Sequence, residues 1–303
     1  MDIYKNAFPD ASLIISTYNR PDALNLCLQS VINQTVLPVE IIIGDDGSTA
    51  ETAELVERFR LISPVEIVHV WQEDRGFRLA RSRNRCVAVS RGDYIIQIDG
   101  DLILHRHFIE DHLRIARRGC FLRGKRMRLS PGRTDELCAM GRLPRFHLFS
   151  RGLKRRINVF HSFALSRFLS TRYKRHHALA SARGCNTSFW RSDFMRINGY
   201  DERYEGWGAE DTDLALRLMN SGLRCLILKF AGTVFHLWHE ERYDEPRTVR
   251  NYAYYHGRVA EKAVRCEFGV EQHLQSADGG SAAGRARGEE GDDRAEACGA
   301  SVN

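Results

Sequence analysis

Short apolar runs recur along the first third of the chain, each ending abruptly in polar turn residues. Residues 12–16 read Ser-Leu-Ile-Ile-Ser and residues 40–43 read Glu-Ile-Ile-Ile, the unalternating pattern of strands buried on both faces of a parallel sheet. Between them, Pro21 suits a helix's first turn, and Leu24, Cys27, Leu28, Val31 and Ile32 recur at helical spacing. A second cycle follows: a helix over Ala50–Leu61, a strand over Val65–Val70, a helix over Leu79–Ser90 and a strand over Tyr94–Ile98. Strands alternating with helices predict an α/β fold with a central, mostly parallel sheet flanked by helices. Ligands bind at the carboxyl ends of such strands.

The polar residues at those ends are chemically unusual. Strand one runs into Thr17-Tyr18-Asn19-Arg20, strand two into Asp45-Asp46-Gly47-Ser48, and the 94–98 strand into Asp99-Gly100-Asp101. Two carboxylates flanking a glycine, at the end of a buried strand, suit Mg²⁺ or Mn²⁺ bridging to a diphosphate. Neither G-x-G-x-x-G nor G-x-x-x-x-G-K-[ST] follows the first strand, so a dinucleotide or P-loop reading loses its main support.

Beyond Arg114 the pattern changes to a basic stretch without clear strands, containing an amphipathic helix with Leu153, Ile157, Phe160, Ala164 and Phe168 on one face. Order resumes near Arg183: a strand over Asn186–Trp190, a helix over Ser192–Ile197, and a helix over Glu210–Ser221 stopped by Gly222. A strand over Leu223–Phe230 leads to Val234–His239, and a last helix is expected over Arg247–Phe268. Residues 276–303 are almost devoid of apolar side chains and are expected to be disordered. The chain thus divides into a first half over 1–113, a basic helical insertion over 114–182, a second half over 183–275, and a tail over 276–303.

Composition sharpens this picture where charge is concerned. The 303 residues carry 45 Lys plus Arg against 39 Asp plus Glu, a net +6. Arg114–Arg175 holds 18 basic residues against Asp135 and Glu136, a local +16 that leaves −10 for the rest. The eight cysteines show no C-x-x-C spacing, so reduced, mostly buried thiols are expected. No run approaches the ~18 consecutive apolar residues of a membrane span. The opening Met-Asp-Ile-Tyr-Lys-Asn lacks a secretion signal's layout, so a cytoplasmic protein is expected.

A second acidic knot, Gly206-Trp207-Gly208-Ala209-Glu210-Asp211-Thr212-Asp213, stands at a helix start. Capping and the helix dipole favour carboxylates there, but they do not account for an indole between two glycines, which suits stacking on a sugar ring. His236 and His239 close a strand and offer imidazoles to a metal begun by Asp101. His105, His107, His176 and His177 have no defensible ligand spacing and read as surface or packing residues.

Together these motifs resemble the inverting glycosyltransferases of family 2, which have the GT-A fold. Ser12 to about His112 resembles their nucleotide-sugar module through Ser16–Arg20, Asp45–Thr49, Arg83-Asn84 and Asp99–Asp101. Arg183–Gly222 resembles the C-terminal galactosyltransferase-type module of β-1,4-galactosyltransferases and chondroitin-polymerase-like enzymes. Its carriers are Gly184–Asn186, Asn198–Asp201 and Gly206–Leu214. The resemblance implies a UDP-sugar donor bound by Thr17, Tyr18, Asp46, Arg83 and Asp99, and a Mn²⁺ or Mg²⁺ ion held by Asp101 and Asp99 with His236 or His239. It implies Asp211 as the base, Glu210 as a catalytic carboxylate that binds sugar hydroxyls, Asn186 as a sugar-binding residue, and Trp207 as a platform for a sugar face; Asp213 could instead be structural. Two departures stand out: Leu102 follows the D-x-D where a further acidic residue is common, and Ala209 replaces a glycine of the tryptophan motif.

The implied activity is transfer of a hexose or N-acetylhexosamine to a glycan or lipid-linked acceptor in bacterial-type surface polysaccharide or lipopolysaccharide synthesis. A nucleotidyltransferase would need a Gly-rich, basic loop after the first strand, which is missing. A nucleic-acid binder would use the basic middle but leave Trp207, Glu210 and Asp211 unexplained, so no nucleic-acid partner is expected. A non-catalytic sugar-nucleotide-binding homologue is the remaining alternative. The basic segment and its apolar helix face suit docking on an anionic membrane surface, which would place the protein peripherally on the cytoplasmic face, or on a phosphate-bearing lipid-linked acceptor; the alternative is a solvated face packed on the catalytic body.

Overall fold

The structure is a computed structural model that describes residues 8–147, 149–153, 159–170, 172, 184–240 and 245–274. Its centre is a seven-stranded sheet in the order β3-β2-β1-β4-β8-β6-β9. These are β1 (Ala11–Thr17), β2 (Glu40–Asp45), β3 (Glu66–Trp71), β4 (Tyr94–Asp99), β6 (Cys120–Arg123), β8 (Asn186–Trp190) and β9 (Arg224–Ile227). The first four are mutually parallel, β8 runs antiparallel to both β4 and β6, and β9 returns parallel to β6. The expected α/β architecture with a mostly parallel sheet is therefore present.

Unalternating apolar strands arise because both sheet faces are covered. Leu13, Ile15, Ile41, Ile43, Ile96 and Ile98 point to a core shared with Leu24, Leu28, Val56, Phe59 and Phe108. Their neighbours Ile14, Ile42 and Ile95 join Val87, Phe194, Leu214 and Leu218 on the other side. Helices α1 (Pro21–Ile32), α2 (Ala50–Ile62) and α4 (Phe108–Ile115) supply the first layer. Helices α3 (Leu79–Val89), α7 (Arg191–Arg196) and α8 (Glu210–Asn220) supply the second. Strand order reverses between β1 and β4, whose register sets Ser16 opposite Asp99. The carboxyl ends of these two strands therefore meet at the crevice where ligands bind such sheets.

A second sheet of three short strands, β5 (Leu102–Leu104), β10 (Val234–His236) and β7 (Arg126–Arg128), leans against that crevice. Leu102, the departure from the acidic pattern after Asp101, is fully buried and opens β5. An acidic side chain there would lie in the core.

Several expectations change. The basic insertion does not begin at 114: β6 sits inside the main sheet and β7 in the small one, with α5 (Pro131–Met140) following. Each strand is too short to show a period: β6 has only four residues and β7 only Met127 between two arginines. The halves drawn at 1–113 and 183–275 share one sheet through the β4–β8 pairing. The single apolar face over Leu153–Phe168 is also corrected. Leu153 is buried in a bridge to Leu129, Phe160 lies outside any helix, and α6 spans Phe163–Ser170, with Phe168 exposed. The last helix, α9, is Glu245–Ala260; the chain then turns at Lys262, whose φ is 51°, into a 3₁₀ turn at Val270–His273. Ile157, His176, His177 and the 276–303 tail lie outside the described residues. The seven described cysteines are all free thiols, five of them buried.

Candidate active site

Three strand ends build one wall of the crevice. Gly100 N–H donates to the Ser16 carbonyl at 2.7 Å. A Cβ on Gly100 would meet that oxygen at 3.1 Å and Thr17 at 3.3 Å. The glycine thus lets Asp99 and Asp101 emerge from a tight turn against β1. Thr17 is buried, with its carbonyl accepting the Asp46 N–H, whereas Tyr18 is exposed and its hydroxyl donates to Asp74 at 2.9 Å. Asp46 is buried and accepts from Gln72 Nε2 at 2.5 Å and from the Arg78 N–H at 2.8 Å. Burial raises its carboxyl, and the Gln72 bond works against that. Asp46 therefore braces the loop before α3 while its own N–H ties it to the end of β1.

Asp101 is where the small sheet contributes. Its carbonyl accepts the Leu237 N–H, and the antiparallel β5–β10 pairing sets His236 opposite Leu102. Both candidate imidazoles reach the same carboxylate: Asp101 Oδ2 lies 3.4 Å from His236 Nε2 and 3.2 Å from His239 Nε2. The Oδ1 atom is buried with no hydrogen-bond partner. Burial acts to raise the Asp101 carboxyl, but the two imidazoles and Arg20 hold it below the usual range. A partly orphaned carboxylate between two imidazoles fits a divalent cation, with His236 and His239 both within reach.

Arg83 joins this wall to the second acidic knot. From α3, its guanidinium is 1% exposed, with Nη2 3.0 Å from Asp99 Oδ1 and Nη1 2.8 Å from Asp211 Oδ1. The Tyr200 hydroxyl donates to the same Asp211 oxygen at 3.1 Å, and Gly184 N–H donates to Oδ2. Gln97 Nε2 donates to the Tyr200 oxygen at 2.8 Å and to the Gly184 carbonyl at 3.0 Å. Asn84, the next residue along, brackets Tyr200 by its N–H and carbonyl, each at 2.9 Å. A Cβ on Gly184 would fall 2.1 Å from Asp211 Oδ1 and 2.6 Å from Arg83 Nη1, so any other residue there would displace this pair.

The knot itself is shaped by left-handed backbone. Gly206, Gly208 and Ala209 have φ of 78°, 104° and 73°, which turns the chain sharply into α8 and leaves Trp207 37% exposed. Asn251 of α9 holds the turn through the carbonyls of Glu205 and Trp207. Glu210 is buried and its Oε2 has no partner; burial first, then the neighbouring Asp211 charge, pushes it up to about 8. Asp99, about a third exposed, is pushed up to about 6 by burial, against the pull of Arg83. Asp213 is fully buried and pairs with Arg217 at 2.6 Å, a structural role.

Residues 12–170, just over half of the chain, match the family described as glycosyl transferase family 2. The chain belongs to that family. Residues 166–240, which carry the tryptophan knot and both imidazoles, match a second family described as the N-terminal domain of galactosyltransferase. A validoxylamine A glucosyltransferase of Streptomyces hygroscopicus subsp. limoneus is 27% identical over 233 residues, covering 71% of this chain and 49% of the relative. A chondroitin synthase of Escherichia coli is 24% identical over 248 residues, covering 76% of this chain and 34% of the relative. The chain thus spans half the length, or less, of these relatives.

Among solved structures, a mannosyltransferase from Pyrobaculum calidifontis in complex with GDP-Man and Mn²⁺ has a TM-score of 0.57 at 16% identity, covering 93% of this chain and 77% of that one. TarS 1-349 of S. aureus in complex with UDP-GlcNAc gives 0.57 at 14%, covering 88% and 71%. The expected GT-A fold is thereby found.

In this family 2 chain, Thr17, Asp46, Asp99 and Asp101 converge as expected, and Arg83, Glu210 and Asp211 join them. Asn186 does not. It is 1% exposed, its Oδ1 faces His112 Nε2 at 3.0 Å, and its amide donates to the Gly232 carbonyl at 2.9 Å. The assignment of Asn186 to sugar binding is corrected to support beneath the site. Reasoning from sequence assigned no role to Tyr200, Gln97 or Gly184. Their joint signal is weak, because the partners of Tyr200 lie 103 and 117 residues away in the chain.

Proposed function

We propose that this family 2 member is a metal-dependent inverting glycosyltransferase that moves a hexose or N-acetylhexosamine from a UDP-sugar to a glycan or lipid-linked acceptor. The observation that carries the reading is Arg83, which holds Asp99 of the donor wall and Asp211 of the acceptor knot on one buried guanidinium. The names of relatives and neighbours support it: a glucosyltransferase, a chondroitin synthase, and structures with GDP-Man and UDP-GlcNAc.

Thr17, Tyr18 and Asp46 would line the base and ribose, and Asp99 would face the ribose or diphosphate. A divalent ion held by Asp101, His236 and His239 would neutralise charge on the departing diphosphate. The two imidazoles favour Mn²⁺ over Mg²⁺, which prefers oxygen ligands. The acceptor hydroxyl attacks the anomeric carbon from the face opposite the diphosphate, the C1–O bond breaks with its electron pair leaving on UDP, and the hydroxyl proton passes to Asp211. Arg83 and Tyr200 keep that carboxylate oriented, and Trp207 offers its exposed face to a sugar ring.

A second reading of the base comes from Glu210. Its Oε2 is unpartnered, whereas both oxygens of Asp211 are engaged.

The same reading places the protein in surface polysaccharide or lipopolysaccharide assembly, peripherally on the cytoplasmic membrane face. No helix among the described residues is long and apolar enough to cross a membrane. Phe149, Phe160, Leu165 and Phe168 are exposed among Arg151, Arg167 and Arg172, an arrangement suited to an anionic lipid surface.

A screen of nucleotide sugars with Mn²⁺, read as nucleotide release with and without glycan acceptors, tests the activity. UDP release from at least one UDP-sugar supports it. UDP binding without release from any donor and acceptor supports the non-catalytic homologue instead.

A further inference from the structure

A second cluster of imidazoles stands at the other end of the small sheet. β5 starts after Asp101 and ends just before His105, so at ~3.3 Å per residue the two lie about 13 Å apart along the strand. His105 N–H donates to the Thr233 carbonyl at 3.0 Å, which fixes it beside the start of β10. His161 enters from the segment before α6, its Nε2 2.9 and 3.0 Å from the two oxygens of Asp111. Asp111, on α4, is 2% exposed, and its Oδ2 also accepts the Gly232 N–H at 2.8 Å.

The His105 and His161 rings stack at 4.8 Å and 20°, and His107 stands 5.2 Å from His161 at 26°. His107 Nδ1 is held by Glu110 at 3.0 Å and Thr35 at 3.1 Å. Reading His105 and His107 as lone surface or packing residues is thereby corrected. Their partner His161 is 56 and 54 positions further along the chain, beyond any local spacing.

One ligand atom each from His105, Asp111 and His161 lie within 4.8 Å of one another. Two imidazoles and a buried carboxylate form a borderline donor set that suits Zn²⁺ and discriminates against Mg²⁺ and Ca²⁺. With metal–ligand distances of about 2.0–2.1 Å, ligand atoms in a tetrahedral site are about 3.4 Å apart, so side-chain shifts of roughly 1 Å close the trio on an ion.

We propose that His105, Asp111 and His161 form a structural Zn²⁺ site, separate from the Asp101 centre, with water or His107 as the fourth ligand. Its chemical consequence is a staple. The ligands come from the end of β5, from α4 and from the residues just before α6, so the ion ties the start of α6 to the catalytic body. Binding requires deprotonated ligands and couples to folding.

The test uses the full chain stripped with EDTA and dialysed against micromolar Zn²⁺ in excess Mg²⁺, with bound zinc counted and Co²⁺ substituted as a visible-absorption probe. The Asp101→Asn/His236→Gln protein, whose cluster is intact, is expected to keep one zinc, a tetrahedral Co²⁺ spectrum and a zinc-induced rise in Tm. His105→Gln/His161→Gln is expected to bind one zinc fewer than wild type and to lose the Tm rise attributable to that ion. His161→Gln alone, with unchanged circular dichroism, should weaken binding at least tenfold. Absence of zinc from the Asp101→Asn/His236→Gln protein, or undiminished zinc in a folded His105→Gln/His161→Gln protein, overturns the proposal.

Discussion

Arg83 Nη1 lies 2.8 Å from Asp211 Oδ1 across 128 residues of chain, inside a site where Arg83 is almost wholly buried. Burial opposes the guanidinium charge, but the Asp211 and Asp99 carboxylates outweigh it and keep the arginine protonated. Removing one member of a buried pair leaves the other charge uncompensated. Arg83→Met is therefore expected to lower stability by about 3–5 kcal/mol. Arg83→Lys, which cannot fork between two carboxylates, should fold better yet lose most transfer. Thermal melts and initial rates of UDP release for the two variants check this.

The two neighbouring carboxylates of α8 can be separated by pH. If Asp211 takes the proton, Asp211→Asn loses about 10²–10⁴-fold in kcat with UDP affinity retained, and Glu210→Gln keeps the pH profile of the wild type. If Glu210 takes it, the rising limb of kcat/KM near pH 8 disappears in Glu210→Gln. Stability supplies an independent readout. A carboxyl raised to about 8 in the folded state holds its proton there after the unfolded chain has released it, so its contribution to stability falls as pH climbs from the ordinary Glu range to about 8. Glu210→Gln should be more stable than wild type at pH 8–9, with the gain shrinking toward pH 4.5. Melting curves across that range would show it.

Asp101 is flanked by both imidazoles, so neither should be dispensable. Asp101→Asn is expected to abolish the Mn²⁺ dependence of UDP binding, and His236→Ala and His239→Ala each to weaken Mn²⁺ binding by at least tenfold. Calorimetry of Mn²⁺ and UDP binding to the three proteins distinguishes this from a single-histidine site.

Ala209 occupies a left-handed position, φ 73°, at the mouth of the site. A side chain there costs about 1–2 kcal/mol, so Ala209→Gly should recover part of that strain and raise Tm. The same change loosens the turn that displays Trp207, and a higher acceptor KM is expected beside the higher Tm. Trp207→Ala should raise acceptor KM about tenfold while leaving UDP binding unchanged, with partial recovery in Trp207→Phe.

The strand ends at Thr17, Asp46 and Asp101 were legible because each follows a buried β-branched run, and such runs cannot be mistaken for exposed structure. The short strands Cys120–Arg123 and Arg126–Arg128 were not. Three or four residues are too few for a measurable period, and their place is set by sheet neighbours supplied later in the chain. Asn186 shows the opposite error. Its position in a motif suggested contact with sugar, yet its amide is consumed by His112 and Gly232, which no local pattern reveals.

Local chemistry, then, was enough to specify which side chains matter: apolar periodicity fixes the strands, and turn-forming polar residues must follow them at the carboxyl edge. Partnership between distant groups was a matter of topology. The β5–β10 pairing sets both His236 and His239 on Asp101, and α3 threads Arg83 between Asp99 and Asp211. Helix and strand periods act over a few residues, whereas these contacts depend on which strands lie side by side. That choice belongs to the packed core as a whole.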